Sequence, residues 1–281
     1  MKLVVSVADY GMTEGITDGA IRAIRDGIVT DVGIMTNNPS STRAAEEIKR
    51  YPHISVGMDV NIVSGIPVTC PSLVPSLVDE NGVFIKSVVR NKLGLLEIPY
   101  KEVYLEVENQ VKRFMELFGY KPVYLLGHSW RSDNYIKASI EVGRKYNIPT
   151  NVGACKELNI IGFEKYCGIV RPTKSYYTIN DKGTVDKEAF NEGHYQRKID
   201  VVGFITEDRG DILKNEYSLL RMHIGYPDSD LYQMSTFNDC RCIETSAVCS
   251  QEVKQWVKNN NVQLINYSQF FKEKPYTEYE L

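Results

Sequence analysis

Four residues with acid, base or metal-binding side chains stand at or near the ends of predicted strands. They are Asp9 after the apolar run 2–8, Asp59 in the run 54–60, His128 at the end of 122–128, and His223 in 217–226. The carboxyl ends of strands in parallel sheets and barrels face the active site. We therefore expect these four side chains to converge on one site.

Two carboxylates and one imidazole form a plausible ligand set for a divalent cation. Asp9, Asp59 and His128 would offer two oxygens and one nitrogen, which suit Mg²⁺, Mn²⁺ or Zn²⁺. A metal held in this way polarises a carbonyl group or acidifies bound water, so the pattern predicts a hydrolase. His223 is then a candidate general acid for the leaving group, because histidine titrates near neutral pH.

Each of these residues also has a structural interpretation. Asp9 lies two residues before Gly11 and could belong to a turn that enters a helix. His128 and His223 could be core histidines with satisfied hydrogen bonds. Asp59 is harder to explain by packing, because a carboxylate within an apolar strand requires a partner.

Length and composition exclude several classes of protein. The chain has 281 residues and a net charge of −3, which indicates no charge-driven nucleic-acid partner. No apolar stretch approaches the 18 residues of a membrane span, and the first apolar run is too short for a secretory signal, so a cytoplasmic protein is expected. Six cysteines in a chain this long do not indicate a disulfide scaffold. Cys240 and Cys242 are close, but no second pair completes a zinc site.

The order of predicted elements indicates an α/β fold. Strands are predicted at 2–8, 30–36, 54–60, 122–128, 148–154, 200–206, 217–226 and 262–267. Helices are predicted at 13–27, 40–51, 100–119, 134–147 and 250–261. This alternation favours a parallel sheet covered by helices, and about seven to eight strands suit a barrel better than an open sheet. We expect one domain over 1–281, with a loop insertion at about 64–99.

The chain resembles the YdjC-like family, the ChbG/HpnK type of carbohydrate deacetylases, along almost its whole length. The segments "VADYGMTEGITDGAIRAIRDGIVTDVGIM", "ISVGMDVNIVSGIPV", "VPSLVDENGVF", "FMELFGYKPVYLLGHSW" and "MHIGYPD" are similar to the family's segments in the same order. The segment "CRCIETSAVCSQEVKQWVKNNNVQLINY" is similar to the last helix and strand of the family. The resemblance implies a distorted α/β barrel that removes acetyl groups from N-acetylated sugars with a divalent metal, Mg or Zn.

The resemblance also implies a role for each matched position. Asp9 corresponds to a metal-ligating aspartate, and the residue before it, the family's presumed catalytic base, is Ala8. Asp59 stands where the family has a histidine ligand, while His128 keeps a histidine ligand. His223 keeps the late histidine and is the expected catalytic acid.

Three further matches concern other positions of the family's motifs. Trp130 replaces the second histidine of the family's "HQH" motif and could stack on a sugar or simply pack. Leu126 and Gly127 replace an Asp-Ser pair. Arg241 is expected to contact the substrate, with Glu244 as its acidic companion.

Two functions remain open from the sequence. The first is a metal-dependent hydrolase of a small carbohydrate or another N-acylated substrate, with an altered site. The alternative is a catalytically impaired carbohydrate- or metal-binding protein on the deacetylase fold, which Ala8 favours. No nucleic-acid or membrane partner is expected, and a homodimer is a further possibility.

Overall fold

The computed structural model describes residues 1–150, 155–162, 178–179, 185–186, 196 and 199–275. The strands in these residues are β1 (Lys2–Tyr10), β2 (Asp31–Ile34), β3 (Ser55–Val60), β4 (Leu125–Gly127), β5 (Leu158–Ile161), β6 (Thr178–Ile179), β7 (Val185–Asp186), β8 (Tyr217–Met222) and β9 (Gln263–Leu264). The helices are α1 (Glu14–Asp26), α2 (Ser41–Ile48), α3 (Ser87–Leu93), α4 (Tyr100–Phe118), α5 (Asp133–Tyr146), α6 (Val201–Thr206), α7 (Ser229–Met234), α8 (Asp239–Cys249), α9 (Gln251–Asn259) and α10 (Tyr267–Glu273). None of these helices combines the length and apolarity that crossing a membrane requires.

The chain divides into two compact units. The first unit consists of Met1–Ala8, Glu14–Asp31 and Lys156–Asn266. The second unit consists of Asp9–Thr13, Val32–Cys155 and Tyr267–Leu281. The polypeptide of β1 thus contributes its first seven residues to the first unit and Asp9 with Tyr10 to the second.

The first unit is built on parallel strands. β1 pairs with β8 in a register that runs from Lys2 opposite Tyr217 to Val7 opposite Met222. β5 pairs with the other edge of β8, and β9 pairs with β1, both in parallel. β6 and β7 form a separate two-stranded antiparallel sheet. Helix α1 packs against α8, and Gly19 is needed in α1 because a Cβ there would lie 2.5 Å from the Cα of Gly225.

The second unit has the same arrangement of parallel strands and covering helices. β3 pairs with β4 from Met58 opposite Leu125 to Val60 opposite Gly127, and β2 is the other neighbour of β3. The long amphipathic helix α4 packs against α5 and β3. It ends at Gly119, whose φ of 76° is the left-handed conformation typical of a helix C-cap. Parallel pairing in both units confirms the predicted α/β class with mostly parallel strands.

The segment 64–99 is more ordered than a plain loop. It contains a 3₁₀ turn at Pro71–Leu73 and the helix α3. Arg90 of α3 is buried, and its Nη2 donates to the backbone oxygens of Ser76 and Leu77 at 2.9 and 3.0 Å. Phe84 is also buried. The segment therefore has a small core of its own, which the predicted loop insertion did not include.

One predicted strand is wrong. Residues 200–206 read as an apolar strand, but Val201–Thr206 form helix α6. The side chain of Asp200 caps this helix by accepting a hydrogen bond from the backbone N–H of Gly203 at 2.9 Å. A short apolar run fits a buried strand or a buried helix equally well, and here the N-cap of Asp200 stabilises the helix.

Other boundaries differ from the prediction. Thr150 makes an isolated parallel bridge to Leu125, while residues 151–154 of the predicted fifth strand lie outside the described residues. β5 and α8 were not predicted. α8 contains both Cys240 and Cys242, so the "DCRC" segment is helical.

Candidate functional site

The ends of β3 and β4 bring Asp59 and His128 to the same edge of the sheet in the second unit. The register places Asp59 opposite Leu126 and Val60 opposite Gly127, and His128 is the next residue. The backbone N–H of His128 continues the ladder by donating to the oxygen of Val60 at 2.9 Å. Asp59 is 1% exposed, whereas the side chain of His128 is 15% exposed. The imidazole is therefore the more accessible of the two groups.

Asp9 adopts an unusual backbone conformation at the end of β1. Its φ is +63°, in the left-handed region, which aspartate enters more readily than most residues with a side chain. Its carbonyl oxygen accepts a hydrogen bond from the N–H of Met12 at 3.0 Å, and Gly11 within this turn has a φ of +79°. Asp9 is 1% exposed. Such outliers are common at functional sites, where the surrounding structure holds them in place.

Asp9 connects the other two residues. Its Oδ1 lies 2.8 Å from Nδ1 of His128, and its backbone N–H donates to Oδ2 of Asp59 at 2.9 Å. Two buried carboxylates and one partly exposed imidazole thus form a continuous cluster, which we call the Asp–His cluster. The sequence prediction that these three residues lie together is consistent with this geometry.

Gly33 of β2 makes room for the carboxylate of Asp59. A Cβ on Gly33 would lie 2.5 Å from Oδ1 and 2.8 Å from Oδ2 of Asp59. Both distances are shorter than van der Waals contact, so only glycine allows the carboxylate to lie there. Gly33 was not predicted as a site residue, although a single glycine inside a predicted strand is a signal for such a close approach.

Tyr135 of α5 supports the strand ends beneath the Asp–His cluster. Its hydroxyl donates to the oxygen of Val60 at 2.8 Å, the same oxygen that accepts from the N–H of His128. A Cβ on Gly127 would lie 3.0 Å from the ring of Tyr135, so the glycine before His128 accommodates this ring. Burial raises the pKa of Tyr135, which keeps the phenol protonated and able to donate.

A polar network lies behind the loop that follows β3. Gln110 of α4 accepts from the N–H of Asn61 at 3.1 Å and donates to its oxygen at 2.5 Å. Gln110 also donates to Glu106 at 2.7 Å, and Glu106 accepts the N–H groups of Val68 and Thr69. Burial raises the pKa of the Glu106 carboxyl group. This network, which the sequence did not reveal, fixes the backbone two residues after Asp59.

The ligand atoms of the Asp–His cluster are of types that bind a divalent metal ion, but their arrangement does not form a recognisable metal site. The Asp–His cluster offers two carboxylates and one imidazole, a set that suits Mg²⁺ or Zn²⁺. Within the described part of the chain, however, no three histidine, cysteine, aspartate or glutamate side chains converge closely enough to hold one ion. In the cluster, Oδ2 of Asp59 accepts the N–H of Asp9 and Oδ1 of Asp9 lies against His128. The predicted metal triad therefore remains a prediction.

Trp130 lies in a buried position of the second unit. It is 6% exposed, and the guanidinium carbon of Arg90 lies 5.9 Å from the centre of its ring. Its indole Nε1 has no hydrogen-bond partner among the described residues. This burial favours packing over stacking on a sugar face, although the predicted substrate contact is otherwise untested.

His223, Arg241 and Glu244 belong to the first unit. The last registered pair between β1 and β8 is Val7 with Met222, so the next residues along the chain are Ala8 of β1 and His223, which directly follows β8. The N–H of His223 donates to Oε2 of Glu244 at 2.5 Å, and its ring lies 4.8 Å from that of Phe237. Ala8 and His223 therefore both follow the last registered pair of these two strands.

Arg241 is anchored within the same unit. It is 1% exposed, and its Nε donates to the oxygen of Phe237 at 2.6 Å. This bond links α8 to Phe237, whose ring lies beside that of His223. Its contact with substrate stays a prediction from the sequence.

A crystal structure of a protein from Enterococcus faecalis V583 superposes with a TM-score of 0.70 at 22% sequence identity, covering 96% of this chain and 98% of that chain. This likeness, together with the parallel strands, confirms the predicted class of distorted α/β barrel.

Sequence similarity to known proteins shows the family of this chain. The chain belongs to the YdjC-like protein family, which it matches over residues 2–259. It is 26% identical over 268 residues to a carbohydrate deacetylase of Thermoanaerobacter pseudethanolicus, covering 95% of this chain and 98% of the relative. It is 29% identical over 272 residues to carbohydrate deacetylase 2 of Listeria innocua, with the same coverage. The family predicted from the motifs is thus confirmed.

Proposed function

We propose that this protein is a carbohydrate deacetylase, which hydrolyses the acetamide of an N-acetylated sugar. Family membership and two relatives of that name, each matched over nearly its full length, support the class of reaction. The observation that carries the proposal is the Asp–His cluster, in which a strained, buried aspartate contacts both a second carboxylate and a partly exposed histidine.

Asp9 and His128 form the reactive pair in this proposal. With Oδ1 of Asp9 lying 2.8 Å from Nδ1, the Nε2 atom of His128 is the ring nitrogen left to face a substrate or a cation. We propose Asp9, Asp59 and His128 as the residues that would hold a divalent ion, Mg or Zn. When bound, such an ion would polarise the acyl oxygen or acidify a water molecule.

His223 is the proposed general acid. Hydrolysis of an amide forms a carbon–oxygen bond to water, breaks the carbon–nitrogen bond and requires a proton on the departing amine. The hydrogen bond from the backbone of His223 to Glu244 and the ring contact with Phe237 fix the position of its imidazole. Arg241 and Trp130 remain proposed substrate contacts.

Ala8 limits the expected rate. A methyl group cannot accept a proton, and a positioned general base contributes roughly 10²–10⁴-fold to a rate. We therefore expect slow turnover of ordinary N-acetyl-chitooligosaccharides and a preference for another N-acylated sugar. Ala8 also supports the second candidate, a protein that binds carbohydrate or metal with little turnover. A cytoplasmic location and a homodimer remain predictions from the sequence.

Acetate release from N-acetyl-chitobiose separates these functions. Wild type, Ala8→Asp and His128→Ala would be assayed with added Mg²⁺ or Zn²⁺. We expect slow release by wild type, faster release by Ala8→Asp and none by His128→Ala. Rapid release by wild type would show that another group serves as the base. If neither wild type nor Ala8→Asp releases acetate while both bind metal, the binding function replaces the enzyme.

A further inference from the structure

The role of Asp59 can be inferred from the direction of its hydrogen bond. Oδ2 of Asp59 accepts the backbone N–H of Asp9, not its side chain, at 2.9 Å. Asp9 carries the positive φ, and its side chain reaches His128. The bond therefore acts on the backbone whose conformation aims the Asp9 carboxylate.

Asp59 is well placed for such a role because it has little freedom to move. It is 1% exposed, and its carboxylate lies so close to Gly33 that a Cβ there would clash with both oxygens. Its backbone is part of β3, which pairs with β4 at this level, and Tyr135 and His128 both donate to the oxygen of the next residue, Val60. The acceptor thus lies on a strand that is held on one side by β4 and by the hydrogen bonds to Val60.

We propose that Asp59 is a positioning residue, which holds Asp9 in the left-handed conformation and so keeps its carboxylate on His128. Gly33 is the permissive partner that leaves space for the Asp59 carboxylate. The catalytic consequence rests on the proposed function, but the effect on the backbone of Asp9 does not. An oxygen acceptor is required at position 59, whether or not this residue also contacts a cation.

The test compares Asp59→Asn, which keeps an oxygen acceptor, with Asp59→Ala, which removes it. Asp31→Asn is the matched control, because Asp31 is another buried strand aspartate and accepts from the hydroxyl of Ser6 at 2.7 Å. Hydrogen exchange of the Asp9 amide and its three-bond HN–Hα coupling, both by NMR, report the bond and the φ angle. Calorimetry with Zn²⁺ and the separate values of kcat and KM report the consequences.

We expect Asp59→Ala to speed exchange of the Asp9 amide by roughly tenfold to a hundredfold, the range for loss of a hydrogen bond to a charged acceptor. The coupling constant of Asp9 should change, while amides in the core of β8 keep their protection. Asp59→Asn should retain most of the protection, and Asp31→Asn all of it. In the enzyme, kcat should fall in Asp59→Ala with little change in KM.

Two results would overturn the proposal. One is an Asp9 amide that stays protected in Asp59→Ala with the same coupling constant. The other is equal loss of protection in Asp59→Asn and Asp59→Ala, since the acceptor oxygen would then be irrelevant. If Asp59→Ala does not fold, Gly33→Ala tests the same bond by displacing the carboxylate. Absence of acetate release from every variant would count against the proposed function and leave the backbone measurement valid.

Discussion

Gly33→Ala perturbs the Asp–His cluster without changing any of its polar groups. The added Cβ would lie 2.5 Å from Oδ1, 2.7 Å from Cγ and 2.8 Å from Oδ2 of Asp59. No real methyl group approaches a carboxylate so closely, so the carboxylate of Asp59 has to move. Because Asp59 is buried, its displacement strains the packing and lengthens the bond to the N–H of Asp9.

The magnitude follows from these two effects. Overpacking a buried site costs about 1–3 kcal/mol, and a hydrogen bond to a charged acceptor is worth about 1.5–3 kcal/mol. Restricting the unfolded chain by Gly→Ala offsets roughly 0.4–1 kcal/mol. We therefore expect the free energy of unfolding to fall by about 2–5 kcal/mol, with the melting temperature lower by about 2–4 °C for each kcal/mol.

Gly119→Ala is the matched control. Gly119 has a φ of +76°, and a Cβ there would meet no atom within 4 Å. Only the left-handed backbone is penalised in this variant, by about 1–2 kcal/mol. Urea unfolding followed by circular dichroism would measure both variants. If Gly33→Ala loses no more stability than Gly119→Ala, the close contact with Asp59 does not exist in solution and the account of the cluster is wrong.

Three further predictions concern other residues. Burial raises the pKa of Glu106 above its ordinary 4.5, so between the unfolded-state and folded-state pKa the folded protein binds more protons, and its stability should fall as the pH rises. Glu106→Gln should reduce this pH dependence of the free energy of unfolding, measured by urea unfolding at a series of pH values. An unchanged pH dependence would assign the effect to another group. His223→Gln should lower the rate of acetate release by roughly 10²–10⁴-fold with unaltered metal content, and an unaltered rate would remove His223 from the mechanism. Gly19→Ala should lower the free energy of unfolding by about 3 kcal/mol or more, because the new Cβ would lie 2.5 Å from the Cα of Gly225, and backbone atoms cannot move aside as a side chain can. Thermal melting would measure this loss of stability. A melting midpoint near that of the wild type would contradict the close packing of α1.

The sequence predicted the strands and helices that have strong local signals. The apolar runs at 2–8 and 54–60 are strands β1 and β3, and the amphipathic pattern at 100–119 is helix α4. Hydrophobic periodicity is a property of neighbouring residues, so these elements can be recognised without knowledge of the fold. The run at 200–206 was misassigned because its length and composition fit both kinds of element, and a side-chain cap made the difference.

The sequence by itself also placed Asp9, Asp59 and His128 at strand ends, and parallel strands bring such ends together. Only the tertiary structure decided how the three residues meet. The positive φ of Asp9, the bond from its N–H to Asp59 and the space left by Gly33 depend on contacts between β1, β2 and β3, which are far apart along the chain. Residue type specifies what a side chain can bind, but the distance and direction of its partners are set by strand register and packing. For this reason the residue types of the cluster were readable from the sequence, whereas the hydrogen bond from the backbone of Asp9 to the carboxylate of Asp59 was not.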